Sequence, residues 1–207
     1  PPGTGKTTLA RIIANNLKAE MHELSAVSSG VKDLRNVIKK GKANRDLGRP
    51  TILFIDEIHR FSKSQQDALL HAVEEGVVTL IGATTENPSF EVISPLLSRC
   101  RVLTLKPLGE NQLALVLDRA FKKDIILSKG KVHLNDDIKL KLIQSAGGDA
   151  RKMLNTIELA ASLVENDGKI SSDILDEALQ SKTQLYDKTG DYHYDAISAF
   201  IKSVRGS

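Results

Sequence analysis

The apolar residues in the first part of the chain follow two different periods. In residues 9–17 and again in 31–38 they recur every three or four positions, which predicts two amphipathic helices. Residues 51–55 form a continuous apolar run rich in β-branched side chains, as expected of a strand buried on both faces. The short mixed segment 21–26 fits a further strand between the two helices.

The alternation of helices and strands continues as far as residue 105. Ser62 is suited to cap a helix that ends at Gly76, and a second buried strand is predicted over 77–83. A helix through 92–97 then leads to a last strand over 101–105. Such alternation is typical of a parallel sheet covered by helices on both faces, so we predict an α/β fold.

After Pro107 the pattern changes, because the later segments have helical spacing and no strand-like run recurs. The predicted helices are 111–123, 136–145, 150–165, 171–180 and a last one that begins near Tyr194. We therefore expect three parts: an α/β domain over 1–106, a small helical domain over 107–183, and the beginning of a further domain over 184–207.

Composition narrows the class of protein. Of the 207 residues, 41% are hydrophobic and 27% charged, a globular balance, and no run approaches the roughly 18 apolar residues that a membrane span needs. Because Cys100 is the only cysteine and the first residues lack a secretory pattern, we expect a cytoplasmic protein with no membrane partner. Aromatic residues make up only 4%, which disfavours a platform on which bases stack.

Positive charge is concentrated in one segment of the chain. Its basic residues are Lys32, Arg35, Lys39, Lys40, Lys42, Arg45 and Arg49. Asp33 and Asp46 are the acidic residues among them. The segment either faces phosphates or is an ordinary solvated helix surface, and charge alone leaves both interpretations open.

The chain begins with a glycine-rich sequence that is followed at once by a helix. Residues 1–8, PPGTGKTT, match all but the first glycine of the phosphate-binding motif G-x-x-x-x-G-K-[ST]. Backbone N–H groups near Gly3 and Gly5 can approach phosphate oxygens, while Lys6 can reach the β and γ phosphates. The Thr7 hydroxyl is suited to Mg²⁺, and the helix adds the positive end of its dipole.

Two carboxylates follow the predicted strand 51–55. Asp56 is placed to bind Mg²⁺ and Glu57 to polarise an attacking water, since parallel sheets bind ligands at the carboxyl ends of their strands. After the next predicted strand, Asn87 could orient water or the γ phosphate. Acids and amides also form ordinary turns, so each pattern alone is weak.

Two arginines are further candidates. Arg99 lies at a helix end before the predicted strand 101–105, a place suited to the phosphate of a neighbouring subunit or simply to a helix C-terminus. Arg151 lies in the first turn of a helix, where a cation is disfavoured unless an anion compensates it.

Taken together, these segments resemble the motifs of AAA+ ATPases. In chain order they resemble Walker A (1–8), Walker B (52–57), sensor 1 (84–87), the arginine-finger motif of clamp-loader relatives (98–100) and sensor 2 (148–151). More narrowly, residues 56–61, 63–68, 82–90 and 186–202 resemble the replication-associated recombination protein A family, related to the Werner helicase interacting proteins. The resemblance covers essentially the whole chain.

The resemblance implies a DNA-dependent ATPase of replication-fork maintenance, DNA repair and recombination. It implies ATP and Mg²⁺ as cofactors, a homotetramer, and engagement of single-stranded DNA ends, gaps or forks and of single-strand binding protein. The implied cofactor-binding residues are Pro2, Gly3, Thr4, Gly5, Lys6, Thr7, Thr8, Asp56 and Arg151. The implied catalytic residues are Glu57, Lys6, Arg99 and Asn87, and the implied metal ligands are Thr7 and Asp56.

Further details follow from the same resemblance. Ser25 lies where AAA+ proteins often have a partner of the Glu57 position. The family has a sheet strand before the phosphate loop and a longer oligomerisation domain than this chain contains. Because the first glycine of the phosphate-binding motif is missing, we expect the chain alone to bind ATP poorly.

Two other functions compete with this one. A clamp-loader subunit or Holliday-junction helicase motor would share the ATP site, although residues 186–202 argue against both. A non-catalytic DNA scaffold would use nucleotide only to fix its oligomer, although Glu57 argues against it.

Overall fold

A computed structural model describes residues 1–123, 132–164 and 168–188, with side chains as far as residue 181. The chain divides into two compact units, Pro1–Lys106 and Pro107–Ser207. No helix in the described parts of the chain is long and apolar enough to cross a membrane.

The first unit is built on a parallel sheet of three strands. They are β1 (Glu20–Ser25), β2 (Thr51–Asp56) and β3 (Thr79–Gly82), in the order β1-β2-β3. The register pairs Ser25 with Asp56 and Ile55 with Gly82. Because β2 is central and covered on both faces, its residues 51–55 are all buried, as its apolar run predicts.

Helices cover both faces of this sheet. They are α1 (Lys6–Asn16), α2 (Val31–Asp46), α3 (Lys63–Glu74), α4 (Pro88–Glu91) and α5 (Ser94–Leu97). On one face, Leu53 and Ile55 pack in a cluster with Leu34 of α2 and Leu69 of α3. On the other face, Phe54 of β2 packs with Ala10 of α1 and with Ala83. The predicted α/β fold is therefore confirmed.

One predicted strand is wrong and another is shorter than predicted. Residues 101–105 have no regular secondary structure, and Leu103 is 70% exposed. A strand needs a neighbour whose backbone completes its hydrogen bonds, and none of the described strands pairs with this segment. The predicted strand 77–83 contracts to β3, which is only partly buried because it lies at the edge of the described sheet.

The predicted helix through 92–97 is confirmed only over α5, residues 94–97. Val92 is extended and separates α5 from the preceding helix, α4. Each contains a proline in its first turn, Pro88 in α4 and Pro95 in α5. Proline fits the start of a helix but lacks the N–H that a helix interior requires, so the two cannot merge.

The second unit is helical where it is described. Its helices are α6 (Glu110–Lys123), α7 (Asp136–Ala146), α8 (Ala150–Leu163) and α9 (Ser172–Lys188). They share a core that includes Leu113, Leu142, Met153, Ile157 and Leu175. The four corresponding predictions are confirmed, although α9 runs beyond its predicted end; the helix predicted near Tyr194 lies outside the described residues.

A close backbone approach fixes the start of α8. Gly148 has a φ of +88°, and its carbonyl accepts a hydrogen bond of 3.0 Å from the N–H of Leu108. A Cβ at Gly148 would lie 2.6 Å from the Cβ of Pro107. We expect Gly148→Ala to lower the free energy of unfolding by about 2–4 kcal/mol, the sum of left-handed backbone strain and overpacking.

Gly147→Ala is the matched control for this prediction. Gly147 also has a positive φ, +59°, but nothing lies within 4 Å of an added Cβ. It should therefore show the backbone strain alone, about 1 kcal/mol. Chemical denaturation followed by circular dichroism measures both variants, and equal decreases in stability would contradict the close approach at Pro107.

Candidate nucleotide-binding site

The glycine-rich loop leads directly into α1. Gly3 and Gly5 have φ values of +61° and +85°, a region that glycine adopts at little cost. Gly5 is the N-cap residue, and no side chain caps the helix. The first N–H groups of a helix lack partners within it, so this end of α1 offers donors to an anion. The structure therefore fits a phosphate here.

Two side chains of the loop converge on one carbonyl. The ammonium group of Lys6 donates to the carbonyl of Pro1 at 2.7 Å, and the Thr4 hydroxyl donates to the same oxygen at 3.1 Å. Lys6 therefore lies across the loop, next to the uncapped start of α1. Thr7 is half-buried and Pro2 and Thr8 are exposed in the same segment.

An ion pair connects α1 to the sheet. Arg11 donates from Nε and Nη2 to the two carboxylate oxygens of Glu23 in β1, at 2.7 and 3.0 Å. These hydrogen bonds, together with the positive charge, lower the pKa of Glu23, although its own burial opposes the shift. The pair is exposed to solvent, so its contribution to stability is small.

The end of β2 is fixed from both sides. The carbonyl of Asp56 accepts a 3.0 Å hydrogen bond from the N–H of Ala26, which follows β1. The N–H of Ile58 donates to the carbonyl of Ala83, which follows β3, also at 3.0 Å. Between these two anchors, Glu57 adopts a φ of +52°, an unusual conformation for a residue with a side chain. Such conformations cluster at functional sites.

Glu57 contacts the segment that follows β3. Its Oε2 accepts hydrogen bonds from the hydroxyl of Thr85 at 3.2 Å and from the Thr85 N–H at 3.4 Å. The Nδ1 atom of His59 lies 3.2 Å from the same oxygen. Ser25 is in register with Asp56, but its described side chain makes no hydrogen bond with Glu57.

The sequence motif predicts Asn87 as the functional residue of this segment, but it does not predict the contact of Thr85 with Glu57. Asn87 caps α4, since its Oδ1 accepts a 3.0 Å hydrogen bond from the N–H of Ser89. Its role towards a γ phosphate stays a prediction. Because Ile55 of β2 is paired with Gly82 of β3, Thr85, which follows β3, lies next to Glu57, which follows β2. The sequence alone does not specify this register.

Arg99 follows α5 and is bound to its own unit. Its guanidinium lies 2.6 Å from the Glu74 carboxylate at the end of α3, and Nη1 donates to the Pro95 carbonyl at 2.8 Å. Both charged side chains are partly exposed. The next residue, Cys100, is half-buried, and this burial raises the pKa of its thiol, which therefore stays protonated at neutral pH.

Arg151 lies in the second unit. It is exposed in the first turn of α8, whose N-cap Asp149 accepts a 2.9 Å hydrogen bond from the N–H of Lys152. The positive end of the helix dipole disfavours a cation at this position. An anion near Arg151 would offset this cost, as the sequence predicts.

The chain matches known families in both units. Residues 1–108 match the ATPase family associated with various cellular activities (AAA), and residues 128–205 match the AAA C-terminal domain. The chain therefore belongs to the AAA family of ATPases.

Within that family its relatives have the names that the sequence motifs suggest. The chain is 48% identical over 212 residues to Replication-associated recombination protein A of Escherichia coli K12 and 41% identical over 226 residues to ATPase WRNIP1 of Dictyostelium discoideum. Both alignments cover all of this chain, but only 47% and 26% of the relatives. The predicted family resemblance is confirmed, and the chain spans about half the length of the bacterial relative.

A solved structure has the same fold. It is a RuvB mutant from Thermotoga maritima, with a TM-score of 0.65 and 28% identity. The similarity covers 87% of this chain and 59% of that one.

Proposed function

We propose that this chain is the ATP-hydrolysing part of a protein that acts on DNA in replication and recombination. The observation that carries the proposal is the carboxylate of Glu57, which lies at the end of the central strand and is fixed by Thr85 and His59. The family, the uncapped start of α1 and the names of the relatives support it.

In this proposal the first turn of α1 and Lys6 bind the phosphates of ATP. The Thr7 hydroxyl and the Asp56 carboxylate would bind Mg²⁺, which prefers oxygen ligands and neutralises charge on the transferred phosphoryl group. Neither group has a hydrogen-bond partner among the side chains and backbone that the structure describes. Both are thus available for such a ligand.

Glu57 would accept a proton from the attacking water. A general base must have a free lone pair at a fixed position, and an ionised carboxylate supplies one. Arg99 would stabilise the γ phosphate bound by a neighbouring subunit, and Arg151 would bind phosphate from a helical lid over 107–183. The boundary of the compact units after Lys106 supports that division of the chain.

We further propose that single-stranded ends, gaps or forks are the DNA substrates. In this proposal the full-length protein assembles as a homotetramer and binds single-strand binding protein. Residues 184–207 would begin the oligomerisation domain. The support is the naming of relatives for replication-associated recombination.

ATP turnover of the full-length protein, measured with and without forked DNA that carries single strands, tests this function. We expect stimulation by DNA, and turnover indifferent to DNA would favour the scaffold or a protein substrate instead.

Basic side chains on α2 offer a surface for DNA. Lys32, Arg35 and Lys39 are spaced three and four residues apart and so share an exposed face, with Lys40 beside it. None of these four has an ion pair with a described residue. Further along, Lys42 pairs with Glu75 at 3.6 Å. The unpaired cations fit phosphates better than a solvated face balanced by acids.

Reversal of two of these charges should weaken DNA binding at every sequence. The plot of log affinity against log salt concentration has a negative slope. In Lys39→Glu/Lys40→Glu this slope should become less steep, by about 0.7–0.9 for each phosphate that the protein no longer neutralises. Salt-dependent fluorescence anisotropy measures it. Lys122→Glu/Lys123→Glu is the matched control, since these neighbouring lysines are also exposed on a helix. An unchanged slope in the α2 variant would contradict DNA binding by this surface and favour its interpretation as a solvated helix face.

A further inference from the structure

We infer that His59 is a positioning residue for Glu57. It fixes one oxygen of the carboxylate so that the other is left to receive the proton of the attacking water. This inference rests on the ATP hydrolysis proposed above, and it assigns a role to a histidine that lies just beyond the predicted Walker B segment 52–57.

The position of His59 follows from the turn after β2. The chain forms a single turn of 3₁₀ helix over Ile58–Arg60, directly after Glu57. The imidazole is only 13% exposed, and its Nδ1 lies 3.2 Å from Glu57 Oε2 and 2.9 Å from the hydroxyl oxygen of Thr84. A single ring atom therefore faces both the carboxylate and the segment after β3.

The hydrogen bonds assign the proton on this ring. An ionised carboxylate only accepts, so an unprotonated Nδ1 at 3.2 Å would place two acceptors against each other. We therefore place the hydrogen on Nδ1, which donates it to the Thr84 hydroxyl, while the same ring atom contacts Glu57 Oε2 at 3.2 Å without a second hydrogen bond. The Thr84 oxygen also accepts a 2.9 Å hydrogen bond from the N–H of Glu86, so both of its lone pairs are used.

The two oxygens of Glu57 are consequently different. Oε2 accepts hydrogen bonds from the hydroxyl and N–H of Thr85 and lies 3.2 Å from His59 Nδ1. Oε1 has no hydrogen-bond partner among the residues that the structure describes. Since the backbone of Glu57 is also anchored through Ile58 and Ala83, the free oxygen is fixed in direction before substrate arrives. Such positioning matters because a displacement of about 1 Å can cost roughly a hundredfold in rate.

The packing below this turn supports the same function. A Cβ at Gly82 would lie 2.9 Å from the Cδ1 atom of Ile58, which is 4% exposed. Ile58 therefore fills the space above β3 closely. The residues on either side of Ile58 are Glu57 and His59, whose side chains are in contact.

The test compares His59→Ala with His59→Asn in the full-length protein. The alanine variant removes the ring that contacts Glu57, and we expect kcat for ATP to fall at least about tenfold while KM stays within about twofold. Asparagine can present an N–H near the position of Nδ1, so we expect it to restore most of kcat. His71→Ala is the control, because His71 is an exposed histidine on α3 that contacts only Glu75 among the described acids.

The outcomes distinguish the positioning role of His59 from the proposed ATPase function. Wild-type kcat in His59→Ala, with Glu57→Gln inactive in the same assay, would overturn the positioning role and leave the proposed ATPase intact. So would an equal decrease of kcat in the alanine and asparagine variants, since loss of the polar contact with Glu57 would then not be the cause. Wild-type turnover in Glu57→Gln would instead contradict Glu57 as the base, and absence of ATP turnover in the wild-type protein would contradict the proposed ATPase function itself.

Discussion

Glu57→Gln in the full-length protein should lower ATP turnover at least about 100-fold and leave ATP bound. The amide has nearly the shape of the carboxylate but cannot take a proton from water, and general base catalysis contributes about 10²–10⁴ in rate. Lys6 and the start of α1, which we propose bind the phosphates, are untouched by the change. Steady-state phosphate release and an equilibrium ATP titration measure the two effects separately.

The matched control is Glu91→Gln. Glu91 is an exposed carboxylate at the end of α4, and its described side chain contacts neither Glu57 nor His59. We expect its turnover to stay within about twofold of wild type, as for most surface substitutions. If Glu57→Gln kept wild-type turnover, the site at the end of β2 would not be the catalytic one.

The second large effect is expected at Arg99. Arg99→Ala should reduce turnover by about 10³-fold, the lower range for removal of an arginine that stabilises a transferring phosphoryl group. ATP affinity should change little, because the guanidinium is bound to Glu74 and Pro95 on its own unit. Phosphate release at saturating ATP is the measurement.

Arg101→Ala is the control for Arg99. Arg101 is an exposed arginine two residues further on, with no described ion pair. Turnover in Arg99→Ala equal to that in Arg101→Ala would contradict a catalytic role. The contact with Glu74 is no obstacle to movement of Arg99, since a partly exposed ion pair contributes at most about 1 kcal/mol.

The sequence predicts those parts of the fold that depend on local patterns. The run in β2 is buried on both faces, so its apolar residues are continuous, and the helices of the second unit bury one face each. Residues 101–105 have an equally suitable composition but no described strand beside them. Strand formation depends on a partner elsewhere in the chain, which a local pattern does not contain.

The candidate site likewise has parts that depend on local sequence motifs and parts that depend on contacts between distant segments. The loop before α1 and the carboxylates at the end of β2 are visible because each is a short continuous motif. The contacts of Glu57 with Thr85 join segments 28 residues apart and depend on the register of β2 with β3. The left-handed backbone of Glu57 likewise arises from the anchoring of Ile58 to Ala83 rather than from the residue type.

Mixing two inactive variants tests the central claim most directly. In an equimolar mixture of full-length Glu57→Gln and Arg99→Ala, some interfaces combine the Glu57 of one subunit with the Arg99 of another. We predict that the mixture regains ATP turnover well above either variant alone, because those interfaces are complete. Turnover no higher than that of the separate variants, in mixtures shown to co-assemble, would contradict an ATP site completed across subunits.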